Sequence, residues 1–330
     1  MAFTISRRAF IGGAASAAFV STLPGLALSE QAYPSKTVTF VVPYSAGGAP
    51  DFMARVVAQH LQKKIGQSIV VDNRPGANGS VAASVIASAP TDGYSFLVAE
   101  GSLMSINPHL YKSLSYDPAA DFKPVSLVGT APTFLAVHPD LPVVSFQEFV
   151  EYAKAPPSQL NYGSSGVGSA HHLSMEALIQ AYGLKMTHIP YRGSGQSVPA
   201  LVGGQVNAIF ASYSAVSSFA KAGRLKLLAT NNRQRTQEAP DIPAIAEFAP
   251  GFDFASRMGL VARTGTPPDR IDHLSKEIAV VMKDEAVIGE LAKAGIVAVG
   301  SDPEVYGAAI QQENARMADV IAKAGIKIQD

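Results

Sequence analysis

The stretch Pro43-Tyr44-Ser45-Ala46-Gly47-Gly48-Ala49-Pro50-Asp51 lies between two apolar segments. Before it runs Val38-Thr39-Phe40-Val41-Val42, an apolar strand. After it, apolar residues recur at Met53, Val56, Val57, Leu61 and Ile65. Spacings of three and four predict a helix over 52–65, starting near Pro50. Proline suits a first helical turn, where its missing N–H costs nothing. Glycines just before a helix let the backbone approach a ligand closely. The free N–H groups of the first turn favour an anion. The same residues also suit an ordinary turn between a strand and a helix, so this stretch alone leaves both readings open.

The next segments repeat the pattern. Ser68–Asp72 reads as a second strand, and the turn Asn73–Ser80 leads into an Ala-rich helix, Val81–Ser88. Tyr94–Ala99 reads as a third strand. Repeated strand–helix alternation predicts an α/β fold with mainly parallel sheets. In such sheets ligands bind beyond the carboxyl ends of the strands. The Gly47-Gly48 loop, the Gly76 loop and Glu100-Gly101-Ser102 all fall at that edge. Downstream, Asn161-Tyr162-Gly163 leads through Ser164-Ser165-Gly166-Val167-Gly168-Ser169 into a helix over 170–182. This is a second strand–loop–helix unit, with hydroxyls beside the backbone donors. Ser145 with Glu148 predicts a capping box. The last part of the chain reads as helices.

At the start of the chain, Ser6-Arg7-Arg8-Ala9-Phe10-Ile11 and a weakly apolar run to Leu28 have the layout of an export signal, with twin arginines and cleavage near Ser29. Residues 1–29 hold two of the 26 basic residues and none of the 26 acidic ones. The mature chain would then carry 24 basic and 26 acidic residues, which argues against a nucleic-acid partner. There is no cysteine, hence no disulfide, no thiolate site and no lipid-anchoring cysteine after the leader. Beyond the leader no apolar run approaches the ~20 residues of a membrane helix. A 47% hydrophobic and 16% charged composition can bury a large core, and the length suggests two domains.

Catalytic signatures are sparse. No Gly-x-Ser-x-Gly elbow, Walker lysine or Gly-x-Gly-x-x-Gly fingerprint occurs. His171 and His172 are neighbours on a helix and point about 100° apart, so they make poor joint metal ligands. Asp51 is expected to order its loop rather than to act as a base. No catalytic residue, metal or cofactor is expected. What the loops collect is neutral donors at several helix starts, which is the chemistry of anion binding.

These loops resemble the periplasmic solute receptors of tripartite tricarboxylate transporters, the Bug family. The resemblance covers essentially the whole mature chain. It rests on Tyr33-Pro34-Ser35-Lys36, Ala46-Gly47-Gly48-x-x-Asp51-x-x-Ala54-Arg55, Asp72-Asn73-Arg74-Pro75-Gly76-Ala77 and Pro90-Thr91-Asp92-Gly93-Tyr94. Further on it rests on Asn161 to Ser169, Pro190-Tyr191-Arg192-Gly193, Gly203-Gly204-Gln205-Val206 and Gly265-Thr266-Pro267-Pro268. It implies a two-domain fold of the type II periplasmic-binding-protein kind that closes on a small carboxylate. Its domains would be residues 30–130 with 254–330, and 131–253. The C-terminal helices would pack on the first domain. The ligand contacts it implies lie in the loop before the first helix and in the Ser-Ser-Gly loop, at Ala46, Gly47, Gly48, Asp51, Ser164, Ser165, Gly166, Gly168 and Ser169; candidates for the far end of the acid are Tyr44, Ser102, Met104, His171, Tyr213 and Arg257. The implied partners are transient integral-membrane transporter subunits, with the receptor itself a periplasmic monomer.

The chain departs from the family pattern at Ala49-Pro50, Ser80, Asn207 and Arg257, where an aromatic is common. An arginine there suggests pairing with a second ligand carboxylate. A secreted hydrolase or isomerase with Asp51 or His171 as base, and a receptor serving a sensor kinase, remain as alternatives.

Overall fold

The computed structural model describes residues 33–155 and 159–326. The leader expected over residues 1–29 lies outside them. Two sheets organise the described chain. In chain order the first half contains β1 (Val38–Val42), α1 (Ala49–Ile65), β2 (Ile69–Asn73), α2 (Ser80–Ala87), β3 (Ser95–Glu100), the short α3 (Asn107–Leu110) and β4 (Phe122–Ala131). Then come β5 (Thr133–Val137), α4 (Phe146–Lys154), β6 (Leu160–Ser164), α5 (Ala170–Tyr182), β7 (Met186–Pro190), α6 (Ser194–Val202), β8 (Ala208–Ser212), α7 (Tyr213–Lys221) and β9 (Lys226–Thr230). The chain ends with β10 (Ser256–Arg263), α8 (Pro268–Val281), α9 (Glu285–Lys293), β11 (Val297–Ala298) and α10 (Pro303–Ala324).

One sheet runs β11-β4-β10-β3-β1-β2 and the other β7-β6-β8-β5-β9. β1 pairs in parallel with β2 and β3, and β6 with β7 and β8. The expectation of mainly parallel sheets needs correction, because both are mixed. β10 runs antiparallel to β3 and β4, and β5 antiparallel to β8 and β9. The reason is the path of the chain. It leaves the first sheet along β4, passes Pro132 and enters the second along β5. It returns along β10, beside the strand by which it left.

The cores follow from the strand pattern. Val38, Phe40 and Val42 face Met53, Val57 and Leu61 of α1 within one buried cluster. The capping expectation at α4 holds in modified form. Ser145 Oγ accepts the Glu148 N–H at 3.2 Å, while the Glu148 carboxylate reaches back to the Val144 N–H at 2.8 Å. α10 serves both sheets. Tyr306 is buried with Leu127 and Val261 of the first, whereas Met317, Val320 and Ile321 join the cluster built around Leu173 and Leu178 of α5. Gln180 of α5 also donates to the Val320 carbonyl at 3.0 Å. No helix among the described residues is long and apolar enough to cross a membrane.

Candidate functional site

The carboxyl ends of β1, β3, β6, β8 and β9 open on one cavity of about 860 Å³. The first sheet's side supplies Tyr44, Gly47, Gly48, Ala49 and Phe52, with Asn78, Glu100 and Ser102. The second sheet's side supplies Ser165, Gly168, Ser169 and His171, with Ser194, Ser212 and Ser214. The crossing segments add Ala131, Pro132, Thr133, Asn231, Phe254 and Ser256. Two long helices, α1 of 17 residues and α5 of 13, begin at its wall. Their free N–H groups and positive dipole ends favour an anion. Among the described residues the lining contains no Lys or Arg.

The loop before α1 is held by Asp51. Its carboxylate accepts from the Gly47 N–H at 2.9 Å, from Asn73 Nδ2 at 2.9 Å and from Arg55 Nε at 3.1 Å. Asn73 also donates to the Tyr44 carbonyl at 3.0 Å. Burial works against this carboxylate, but hydrogen bonds from Arg55, Gly47 and Asn73 outweigh it and hold its pKa below the usual range. Gly47 has φ +93°, a conformation that side chains with a Cβ rarely adopt. Asp51 therefore holds the loop in place from behind the wall.

The loop before α5 is held differently. The Gly168 N–H donates to His172 Nδ1 at 3.0 Å, and Ser169 Oγ caps the helix by accepting the His172 N–H at 3.2 Å. The His172 ring stacks on His188 with centroids 3.8 Å apart, and His188 stacks on Tyr162. His188 Nε2 and Ser164 Oγ are 2.6 Å apart. Burial, with repulsion from His188, pushes the His172 pKa down to about 3, and burial brings His188 to about 4. Gly168 at φ +74° packs so closely that a Cβ there would meet Leu110 Cδ1 at 2.3 Å. At the wall, Ser165 Oγ bonds His171 Nδ1, and burial lowers the His171 pKa to about 4.

Of the residues expected from the sequence, Tyr44, Gly47, Gly48, Ser102, Ser165, Gly168, Ser169 and His171 line the cavity. Six do not. Ala46 is exposed on the loop beside Gly47. Asp51 acts through Gly47. Ser164 is buried beneath, with its Oγ on the Gly166 carbonyl and on His188. Gly166 supports the loop by accepting the Ser169 N–H. Tyr213 heads α7 and packs its ring on Phe134, with centroids 5.3 Å apart. Arg257 is directed elsewhere. Its Nη2 lies 2.6 Å from Asp253 Oδ2 and its Nη1 3.7 Å from Glu313 Oε1 of α10. Met104 is buried in the core beside β3.

The profile of the tripartite tricarboxylate transporter family receptor matches residues 53–326. The chain belongs to that family. The receptor is 32% identical over 304 residues to Protein BugT of Bordetella pertussis (strain Tohama I), covering 92% of this chain and 93% of that one. It superposes on R. palustris Rpa4515 with adipate at a TM-score of 0.75 and 34% identity, covering 90% of the receptor and all of that chain. It superposes on MatC (Rpa3494) from Rhodopseudomonas palustris with bound malate at 0.69 and 30%, covering 88% of the receptor and all of that chain.

Several lining residues escaped the sequence reading. Asn231 is the most connected. It is buried, its side chain accepts the Thr133 N–H at 2.8 Å, and its Nδ2 donates to the Phe254 carbonyl at 2.8 Å and to Ser174 Oγ at 3.0 Å. It thus fastens the two crossings to each other. Glu100 accepts from Ser256 Oγ at 2.7 Å and hydrogen-bonds the Tyr44 hydroxyl. Burial first, and the Glu100 carboxylate second, raise the Tyr44 pKa well above its ordinary value. Asn231 directly follows β9, so the strand-end rule that places Glu100-Gly101-Ser102 at this edge applies to it as well.

Proposed function

We propose that the receptor captures a small organic carboxylate in this cavity and hands it to integral-membrane subunits of a tripartite tricarboxylate-type transporter. The observation that carries the reading is the pairing of the α1 and α5 N-termini at one cavity lined by hydroxyls. Related receptors with bound adipate and malate support the ligand class. In this reading residues 30–130 with 254–330 and residues 131–253 are the two lobes, and the strand pair β4 and β10 carries the crossings. Tyr44, Gly47, Gly48, Ser102, Ser165, Gly168, Ser169 and His171 meet the ligand, while Asp51, Ser164 and Gly166 position the loops. The receptor works as a monomer in the periplasm after cleavage of the leader near Ser29. It binds without chemistry.

A thermal-shift panel of mono-, di- and tricarboxylates and aromatic acids tests this. A true ligand at a hundredfold excess over its Kd stabilises by about 2.7 kcal/mol. A neutral solute that shifts the protein, with no acid doing so, would overturn the reading.

One contact favours a second reading, a hydrolase. The hydrogen bond between Ser165 Oγ and His171 Nδ1 at the wall has the layout of a nucleophile and base. The lowered His171 pKa makes it a poor proton acceptor at neutral pH. Recovery of an unchanged ligand after hours with the protein rejects this reading, and turnover lost in His171→Ala would support it.

A further inference from the structure

The cavity offers an anion neutral donors only, yet it also presents a carboxylate of its own. Glu100, half-buried at the tip of β3, lies in the lining together with Tyr44 and Ser256, which hydrogen-bond it. No lysine or arginine of the described lining offsets it. Arg257, the nearest candidate in sequence, is engaged by Asp253 and Glu313 outside the lining.

This arrangement treats different acids unequally. One ligand carboxylate is accommodated at the helix N-termini. A second carboxylate reaching the Glu100 side would meet a like charge in a partly desolvated cavity without a cation between them, which is unfavourable. An ammonium group there would meet an opposite charge, and a hydroxyl would find an acceptor with spare lone pairs. A methyl group would leave the carboxylate poorly solvated. Repulsion of the wrong ligand is as effective a source of selectivity as attraction of the right one.

We propose that Glu100 is a specificity-determining residue that makes this receptor select carboxylic acids bearing an ammonium or hydroxyl donor, over dicarboxylates of the same length. This rests on the carboxylate reading of the cavity and deepens it. The expected order for acids of matched chain length is ammonium, then hydroxyl, then methyl, then second carboxylate.

The test is isothermal titration of the wild type and Glu100→Gln with four matched series, each spanning three to six carbons: amino acids, hydroxy acids, plain monocarboxylates and dicarboxylates. In the wild type the best amino or hydroxy acid is expected to bind at least tenfold tighter than the dicarboxylate of equal length. In Glu100→Gln that ratio is expected to shrink severalfold, through weaker amino-acid binding and stronger dicarboxylate binding. A dicarboxylate that binds the wild type as tightly as its amino and hydroxy counterparts overturns the proposal, as does an unchanged ratio in a folded Glu100→Gln. The wild-type order alone decides the matter if the variant does not fold. If no acid of any series binds the wild type, the carboxylate reading itself fails and this inference falls with it.

Discussion

The backbone N–H of Gly168 donates to Nδ1 of His172, four residues on, at 3.0 Å. The loop before α1 contains the same relationship, where the Gly47 N–H donates to Asp51 Oδ2, also four residues on, at 2.9 Å. In each case a side chain inside the first helical turn holds the glycine of the loop before it. The donors nearer the cavity are thereby fixed before a ligand arrives, and preorganised donors bind more tightly than mobile ones.

Asp51→Ala removes the acceptor for Gly47 and leaves Arg55 and Asn73 without their shared partner. The expected result is a folded protein with at least a tenfold loss of ligand affinity, read by titration. His172→Phe keeps the stacked ring but strands the buried Gly168 N–H, at a cost of about 1–3 kcal/mol. Its melting temperature and affinity should fall together.

Acid stability depends on the histidines. His171, His172 and His188 have pKa values lowered to about 4, 3 and 4, against an ordinary value near 6.5. A depressed histidine binds its proton more readily in the unfolded chain. Its stabilising contribution is therefore full above pH ~6.5 and is lost as pH falls towards 4–3. Denaturation midpoints measured from pH 7 to 4 should drop steadily. His188→Gln, which retains an acceptor for Ser164, should flatten part of that slope.

Glu313 has the opposite sign. Burial raises its pKa to about 7, although Arg257 and Arg316 pull it down. Its other charged or titratable neighbours are Glu100 and Asp253, with Tyr306 about two turns back on α10. The native state thus holds a proton that the unfolded chain releases near pH 4.5, so the contribution is present below that pH and lost as pH rises through 7. Relative to Glu313→Gln, the wild type should lose stability between pH 4.5 and 7, by on the order of 2–3 kcal/mol. Urea denaturation of both proteins at pH 5 and pH 7.5 measures it.

Asn231→Ala cuts the fastening between the two crossings. It leaves the Thr133 N–H and the Phe254 carbonyl without their side-chain partner. Stability should fall by roughly 2 kcal/mol or more, and affinity should fall as well because Asn231 also lines the cavity. Asn231→Asp, which keeps the acceptor for Thr133, should recover part of the loss.

The strand–loop–helix units at Val38–Ile65 and Leu160–Tyr182 were legible because strand and helix periods change abruptly at a glycine or serine loop. β4 and β10 were not. Phe122-Lys123-Pro124-Val125-Ser126 and Ser256-Arg257-Met258-Gly259 carry proline, glycine and charge that read locally as loop. They are strands because each is the other's antiparallel partner. Missing them hid the mixed pairing of the first sheet. The same gap misdirected Arg257. Its guanidinium turns to Asp253, four positions back, at 2.6 Å, with Glu313 of α10 3.7 Å away, and neither pairing is visible in a local pattern. Glu100 falls at the ligand-binding edge by its place after the third strand, but its part in the wall follows from the two hydroxyls, Tyr44 and Ser256, that the fold brings to it.

The most direct test of the carboxylate cavity is isothermal titration of the leader-free receptor with small carboxylic acids, each paired with its primary amide. The amide keeps the shape and removes the charge that the α1 and α5 N-termini favour. At least one acid is expected to bind one to one, with its amide weaker by a hundredfold or more. An amide that binds as tightly as its acid, or a panel in which no acid binds, would contradict it.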